Sequence, residues 1–449
     1  MNTFLKNRTR LNLCITFLLV IGIAVLGGCS SGKSTSTSIS QSSTETSILS
    51  TAEPPITFTP SSQAIPATTT ALQIPENIVK FQPFEITFGA PRDAKPMGAL
   101  AICGDLAIQL LQFTPDVKVE TVPGVVDDPF CLETSPDGKW IAYEESFNES
   151  STGSWLVVQS ADGQQQKKVP EDPDWVNFGD YVWLDNQHLI FNNFINPPDI
   201  QRTQAYPAYP MVVVNPFTGE HIELSSEYPE LKLGINGPVG TLAFNYTDVV
   251  YDPSLDLVIF PAWGGEHNYI VLWDRHSQAV LARVEDHSGG FGHYPLWSRD
   301  TTQFAVAVMN AIKGERGIDE WYRVSREGQV EQLTRFGDYF SSSEIESASN
   351  WSPDGKKLAF WINLDPSPCP GLRLAILDVS TKQVTNTCLP GTRKYAPPPI
   401  WSFDSRYIVI GDYSDPPIKT ILVDIENGRA FDITSLIGDS RPIGWLVSP

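Results

Sequence analysis

The sequence predicts an all-β protein folded as a single β-propeller, and three observations lead there. A turn-bearing phrase recurs along the chain, a second hairpin follows most copies, and the last residues begin a copy that is not completed. A chain of 449 residues can hold two or three domains, but propellers of this size are often one.

The phrase is clearest at Trp351, "WSPDGKKLAF", and again at Thr134, "TSPDGKWIAY". Pro353 presets φ for a turn, Asp354 can bond nearby N–H groups, and Gly355 accepts a positive φ at little steric cost. Leu358, Ala359 and Phe360 follow Trp351 at offsets of seven, eight and nine, as a buried strand requires. The same offsets give Ile141, Ala142 and Tyr143 after Thr134, and Val258, Ile259 and Phe260 after Tyr251. They give Phe304, Ala305 and Val306 after Trp297, and Ile408, Val409 and Ile410 after Trp401. Trp183 starts "WLDNQHLIF", with a turn one residue shorter. The anchors are spaced by 49, 68, 46, 54 and 50 residues. Second hairpins turn at Asp162-Gly163, Thr218-Gly219, Glu327-Gly328 and Asn427-Gly428. Four short antiparallel strands at a period near 50 describe one propeller blade.

"WSPDGKKLAF" and "SPDGKWIAY", each followed by a hairpin, resemble the repeats of TolB-type propellers, which are related in shape to WD-repeat blades. The resemblance runs from about Pro83 to Pro449. The copies at Trp183, Tyr251, Trp297 and Trp401 have lost Pro or Gly, and the α/β domain that precedes the propeller of TolB itself is not expected here. A role in the Tol system is therefore not carried over.

"IGWLVSP", Ile443 to Pro449, starts a repeat at Trp445 and stops at its turn. A lone strand needs partners, and "ALAIC" (Ala99–Cys103), "LAIQLLQF" (Leu106–Phe113) and "VKVETVP" (Val117–Pro123) can supply three. The expectation is a seventh blade completed from both chain ends, with six blades and a stray strand as the alternative.

The N-terminus predicts the compartment. Lys6, Arg8 and Arg10 precede the apolar run "LCITFLLVIGIAVLGG", the n-region and h-region of a secretory signal. "LGGC", Leu26 to Cys29, resembles the lipobox of bacterial lipoproteins, which implies cleavage after residue 28 and lipidation of Cys29. An uncleaved membrane anchor is the alternative, and both put the body outside the cytoplasm. By the same resemblance, Ser30 gives no signal for inner-membrane retention. "GGCSSGKS" formally matches the phosphate-binding pattern G-x-x-x-x-G-K-[ST], but it lacks the strand and helix that pattern needs. From Ser30 to Thr70, 22 of 41 residues are Ser or Thr, too polar to offset their ordering entropy. Residues 29–78 are read as the lipidated cysteine and a flexible tether, with a reach of roughly 35–40 Å for the Ser/Thr-rich part, and residues 79–449 as the propeller.

Beyond Cys14 and Cys29, four cysteines remain, and an even number outside the cytoplasm points to disulfides. Proximity favours Cys103–Cys131, stapling the closing blade to blade one, and Cys369–Cys388, bracing the outer hairpin of blade five. Buried free thiols are the alternative. No C-x-x-C pair or nearby His marks them as metal ligands.

The formal charge is −21, and removing the three cations of residues 1–28 leaves −24. Such a surface repels phosphate backbones and excludes nucleic acid as a partner class. There is no G-x-S-x-G elbow and no H-E-x-x-H, so the hydrolase domain of prolyl-oligopeptidase-like enzymes is missing. "SPDGKW" is only partly similar to the Asp-box of sialidases, whose spacing it lacks. No cofactor is expected; a divalent cation is the one candidate, at Asp286, His287 and His293 in the glycine-rich "EDHSGGFGHYPLW". Other loops expected on the same face carry Trp175, Phe178 and Tyr181, and Tyr339 and Phe340, aromatics suited to a protein or carbohydrate surface or to the core. The expected function is a lipid-anchored, monomeric binding module for an envelope protein or cell-wall glycan. The alternatives are a propeller enzyme, a hydrolase or lyase acting on glycans or peptides, and a structural ring around a channel-bound ion.

Overall fold

The computed structural model describes residues 74–447, apart from 90, 92, 105, 126–128, 147–153, 171–175, 178–181, 195–210, 225–242, 245–249, 265–266, 289–294, 314–315, 392–396, 413–418 and 439. Cys29, His293, Trp175, Phe178 and Tyr181 lie outside the described residues. The regular structure of the described residues is almost entirely β-strand, with a 3-10 turn at Phe336–Asp338 and a helical turn at Thr434–Ile437. No helix among the described residues is long and apolar enough to cross a membrane.

The described strands form six sheets, and the nine-stranded one consists of two antiparallel groups bridged in parallel at Ile318 and Ser343. Numbering the antiparallel groups as blades along the chain places blade two within 176–223, blade three within 243–286, blade four within 296–332 and blade six within 400–432. Blade one, for example, runs Phe130–Thr134, Trp140–Ser146, Ser154–Ser160 and Gln166–Pro170. Blade five runs Ser342–Trp351, Lys357–Asp365, Arg373–Asp378 and Gln383–Pro390. In blade seven, Arg441–Leu446 pairs with Ala99–Cys103, which pairs with Ile108–Gln112 and then Lys118–Thr121. The unfinished C-terminal repeat is thus completed by the three N-terminal strands expected for it.

The apolar run of the phrase is continuous because each blade's second strand is covered on both faces. Leu358 and Phe360 pack toward blade four, while Ala359 between them packs toward blade six. Ile141 and Tyr143 face blade seven and Ala142 faces blade two. Phe304 and Val306 face blade three, and Ala305 faces blade five. The buried apolar residues form a cluster between each consecutive pair of blades, and one of them joins blade six to blade seven around Tyr407, Val409 and Trp445. The cluster around Ala99, Ile108, Cys131 and Ile141 then joins blade seven to blade one.

Two short strands went unread in the sequence. Val79–Phe81 and Glu85–Phe88 add in parallel to the outermost strands of blades five and six, shielding edges that would otherwise be open. Both disulfides form, Cys103–Cys131 between blades seven and one and Cys369–Cys388 within blade five. Such cross-links belong to an oxidising, extracytoplasmic compartment.

Candidate functional site

The inner strands of blades four, five, six, seven, one and two contact one another in that order, which sets them side by side toward the axis. Anchor tryptophans make that contact: the indole N–H of Trp183 donates to Glu133 O, that of Trp351 to Leu296 O, and that of Trp401 to Asn350 O. Each acceptor lies on the inner strand of the preceding blade. These three anchors therefore tie blade to blade, whereas the indole N–H groups of Trp297 and Trp445 are buried without a partner.

The turns that follow lie together on one face of the ring. In blade five, Ser352 Oγ donates to Asp354 Oδ1 at 2.6 Å and accepts the Lys357 N–H at 2.8 Å, while Asp354 Oδ1 accepts the Lys356 N–H at 3.2 Å. Blades one, four and six repeat this with Ser135–Asp137, Ser298–Asp300 and Ser402–Asp404. Blade three exchanges the two residues: Ser254 Oγ donates to Asp252, whose Oδ1 accepts the Leu257 N–H at 2.7 Å. The hydroxyl and amide donors hold Asp137, Asp300 and Asp354 below the ordinary carboxylate range against the opposing effect of burial, with nearby lysines helping at Asp137 and Asp354. The Gly position is conformationally constant as well. Gly138 and Gly355 have φ of 69° and 67°, and Thr301, Ser405 and Leu255 take 55°, 58° and 59° in their place. The copies in blades three, four and six, which have lost Pro or Gly in sequence, therefore keep the turn through a Ser–Asp pair, and in blade three that pair also meets Arg326 of blade four.

Near the axis on this turn face, Arg299 of blade four reaches the Pro136 carbonyl of blade one. Its guanidinium lies 5.6 Å from the centroid of the Phe403 ring, which comes from blade six. Phe403 in turn packs onto Gly138, where an added Cβ would stand 2.0 Å from Phe403 Cζ. Side chains from blades four and six thus converge on the turn of blade one.

The opposite face carries the longer connections, and the expected site residues belong to it. Asp286 is buried and accepts N–H bonds from Ser288 and Met309, both at 3.0 Å, with Ser288 Oγ on its other oxygen at 2.6 Å. Both of its carboxylate oxygens thus hold the backbone and hydroxyl of its own loop and the adjoining strand. The His287 N–H donates to Met309 O, and its half-exposed ring stands 3.7 Å from Glu285. Phe340 is 2% exposed and packs edge-on against Phe336, and Tyr339 packs on the same core cluster. Of the two readings open for Phe340, its burial fits the core one. Among the described residues, no three His, Cys, Asp or Glu side chains converge to hold a metal ion.

Two acids that sequence reasoning passed over organise this loop. Glu320, 1% exposed, accepts the N–H groups of Phe336 at 3.0 Å and Gly337 at 2.8 Å, and Thr334 Oγ1 at 2.6 Å. Burial outweighs these donors and holds its pKa above the ordinary Glu value. Neighbouring Asp319 accepts the Ile345 N–H at 2.8 Å, and Lys313 Nζ caps the Gly337 and Phe340 carbonyls. The signal was present as adjacent acids inside the strand "GIDEWYRV". Both disulfides lie on this face too, since Cys103 ends a second strand, Cys131 is near the start of an inner strand, and Cys369 lies in a connection between second and third strands. The loop face is thus stiffened by covalent links and buried carboxylates.

No family model matches the chain, and no curated protein matches it. Among solved structures the chain is similar to TolB from Acinetobacter baumannii, at 16% identity and a TM-score of 0.40, covering 77% of this chain and 80% of that one. It is similar to an oligogalacturonate lyase from Vibrio parahaemolyticus, at 14% identity and a TM-score of 0.46, covering 78% and 92%. A prolyl endopeptidase matches at 11% identity and a TM-score of 0.45, covering 76% of this chain and 48% of its own. At these levels no activity or partner passes from them to this chain.

Proposed function

We propose that this protein is a lipid-anchored extracytoplasmic propeller whose loop face binds a partner in the cell envelope. In this reading residues 1–28 are a signal peptide, Cys29 carries the lipid, residues 29–78 form the tether and residues 79–449 form a monomeric seven-bladed ring. The observation that carries it is the asymmetry of the two faces. The turn face is built from short turns whose polar groups bond to one another. The longer connections, both disulfides and the buried loop-holding carboxylates Asp286, Asp319 and Glu320 gather on the other. Ordering those loops in advance lowers the entropy that a partner must overcome, and loops on a rigid scaffold are where recognition residues sit. The test is a pull-down from membranes with the Cys29-anchored protein, in which an envelope protein or cell-wall fragment is enriched. Hydrolysis of a glycan panel with no enriched partner would overturn the proposal.

A further inference from the structure

The strand added to the outside of blade six leaves a sheet edge that is complementary to itself. Glu85–Phe88 pairs in parallel with Arg429–Asp432, and no described strand lies along its other side. All four of its residues are exposed, and Phe88, at 86%, is the most exposed large apolar side chain among the described residues. The Gly89 N–H donates to Asp432 O, so Gly89 and, by alternation, Thr87 turn their backbone groups toward blade six. Those of Ile86 and Phe88 therefore point away from it, along the open edge. Both side chains lie on the same face of the sheet as Ala430, because residues two apart share a face.

This edge differs from those of the other blades. The outermost strands of blades one, two, three, four, five and seven carry Lys167, Glu223, Arg283, Glu331, Lys80 and Glu120, in that order. A charge within an edge strand is a common guard against edge-to-edge pairing. In Glu85–Phe88 only the first residue is charged, and "ITFG" follows it.

We propose that two copies of this chain pair through Glu85–Phe88, antiparallel across a two-fold axis at Thr87. In that register Phe88 of each copy stands opposite Ile86 of the other, and Thr87 stands opposite its counterpart. The residues whose backbone groups point outward then face each other, and the two Ile86–Phe88 pairs exchange four N–H···O bonds. Each is also an aromatic and β-branched cross-strand pair, a favourable one on a sheet face. One register satisfies backbone and side chains together, and an isologous contact closes at two copies. A four-residue edge buries less than the roughly 1,200 Å² of a standard interface, and the formal charge of −21 opposes it. The pair is therefore a weak one that dilution separates. It joins two complete rings at their rims and leaves both loop faces free, so it stands or falls separately from the loop-face reading.

The test adds a cysteine at Thr87 in the full chain, purified in detergent, concentrated and treated with a mild oxidant. Facing residues in such a pair have Cβ atoms about 4.5–5.5 Å apart. Thr87→Cys therefore gives a disulfide-linked dimer on a non-reducing gel, above the background set by the chain without the added cysteine. Val119→Cys, exposed on the outermost strand of blade seven, stays at that background. Phe88→Lys, at an exposed position, lowers the Thr87→Cys dimer yield at least about fivefold. Sedimentation of the chain without added cysteine shows a species of twice the mass that grows with concentration and is lost in Phe88→Lys. Equal crosslinking at Thr87 and Val119, a yield unmoved by Phe88→Lys, or a monomer at every concentration overturns the proposal. So does a Thr87→Cys monomer whose thiol is shielded from maleimide, since another segment then covers the edge.

Discussion

Gly138 and Gly355 hold the same place in the same turn, with φ of 69° and 67°, yet alanine at each carries a different cost. At Gly355 nothing lies within 4 Å of an added Cβ, so the penalty is backbone strain alone. A left-handed L-residue costs about 1–2 kcal/mol, and the reduced freedom of the unfolded chain returns about half of that, leaving about 1 kcal/mol. At Gly138 the Cβ stands 2.0 Å from Cζ of Phe403 and 2.8 Å from Cε2. Overpacking of that kind adds about 1–3 kcal/mol, so Gly138→Ala loses about 3 kcal/mol in total. Urea denaturation midpoints at constant m-value measure both. The double-mutant cycle is sharper: with Phe403→Ala present, the cost of Gly138→Ala falls to about 1 kcal/mol. Equal costs at the two glycines, or no coupling to Phe403, would refute the packing of blade six's Phe403 on the turn of blade one.

The non-glycine turns supply the converse, because Thr301 is β-branched and held at φ 55°; Thr301→Gly gains about 0.5–1 kcal/mol in the same assay, and a loss would contradict the strain. Glu320→Ala leaves the Phe336 and Gly337 N–H groups without their acceptor and costs about 3 kcal/mol or more. Because burial raises the Glu320 pKa above its unfolded value, its contribution is fully present below the ordinary Glu pKa and is lost as pH rises through the folded value. Glu320→Gln flattens that decline in a stability-versus-pH series, and an unchanged slope counts against it. Replacing Cys103 and Cys131 together by Ala opens a link spanning 28 residues and lowers stability by about 3–4 kcal/mol in the chain-entropy account; a change below about 1 kcal/mol would show that strand pairing alone closes the ring.

Legibility followed the strength of each physical signal. The repeat was readable because three consecutive apolar residues per copy serve two neighbouring blades, and that demand survives when the turn residues drift. Ring closure was readable from Trp445, since an unfinished repeat leaves a strand without partners. The turns were read too narrowly: Pro and Gly drew attention, while a Ser–Asp pair, inverted at Asp252 and Ser254, spans the turn in blades one, three, four, five and six. Val79–Phe81 and Glu85–Phe88 were missed because edge strands of three and four residues carry no alternation. The burial of Asp286 and Phe340 was not readable from their loop membership, because burial depends on long-range packing.

The claim that the loop face carries the function is tested most directly by photo-crosslinking in intact membranes. Crosslinkers placed at Leu106 and Ile312, exposed on the loop face, are compared with those at Lys139 and Lys356, exposed on the turn face. The account predicts a discrete partner adduct from the first two positions and none from the second two. The same adduct from both faces, or from the turn face alone, would contradict it.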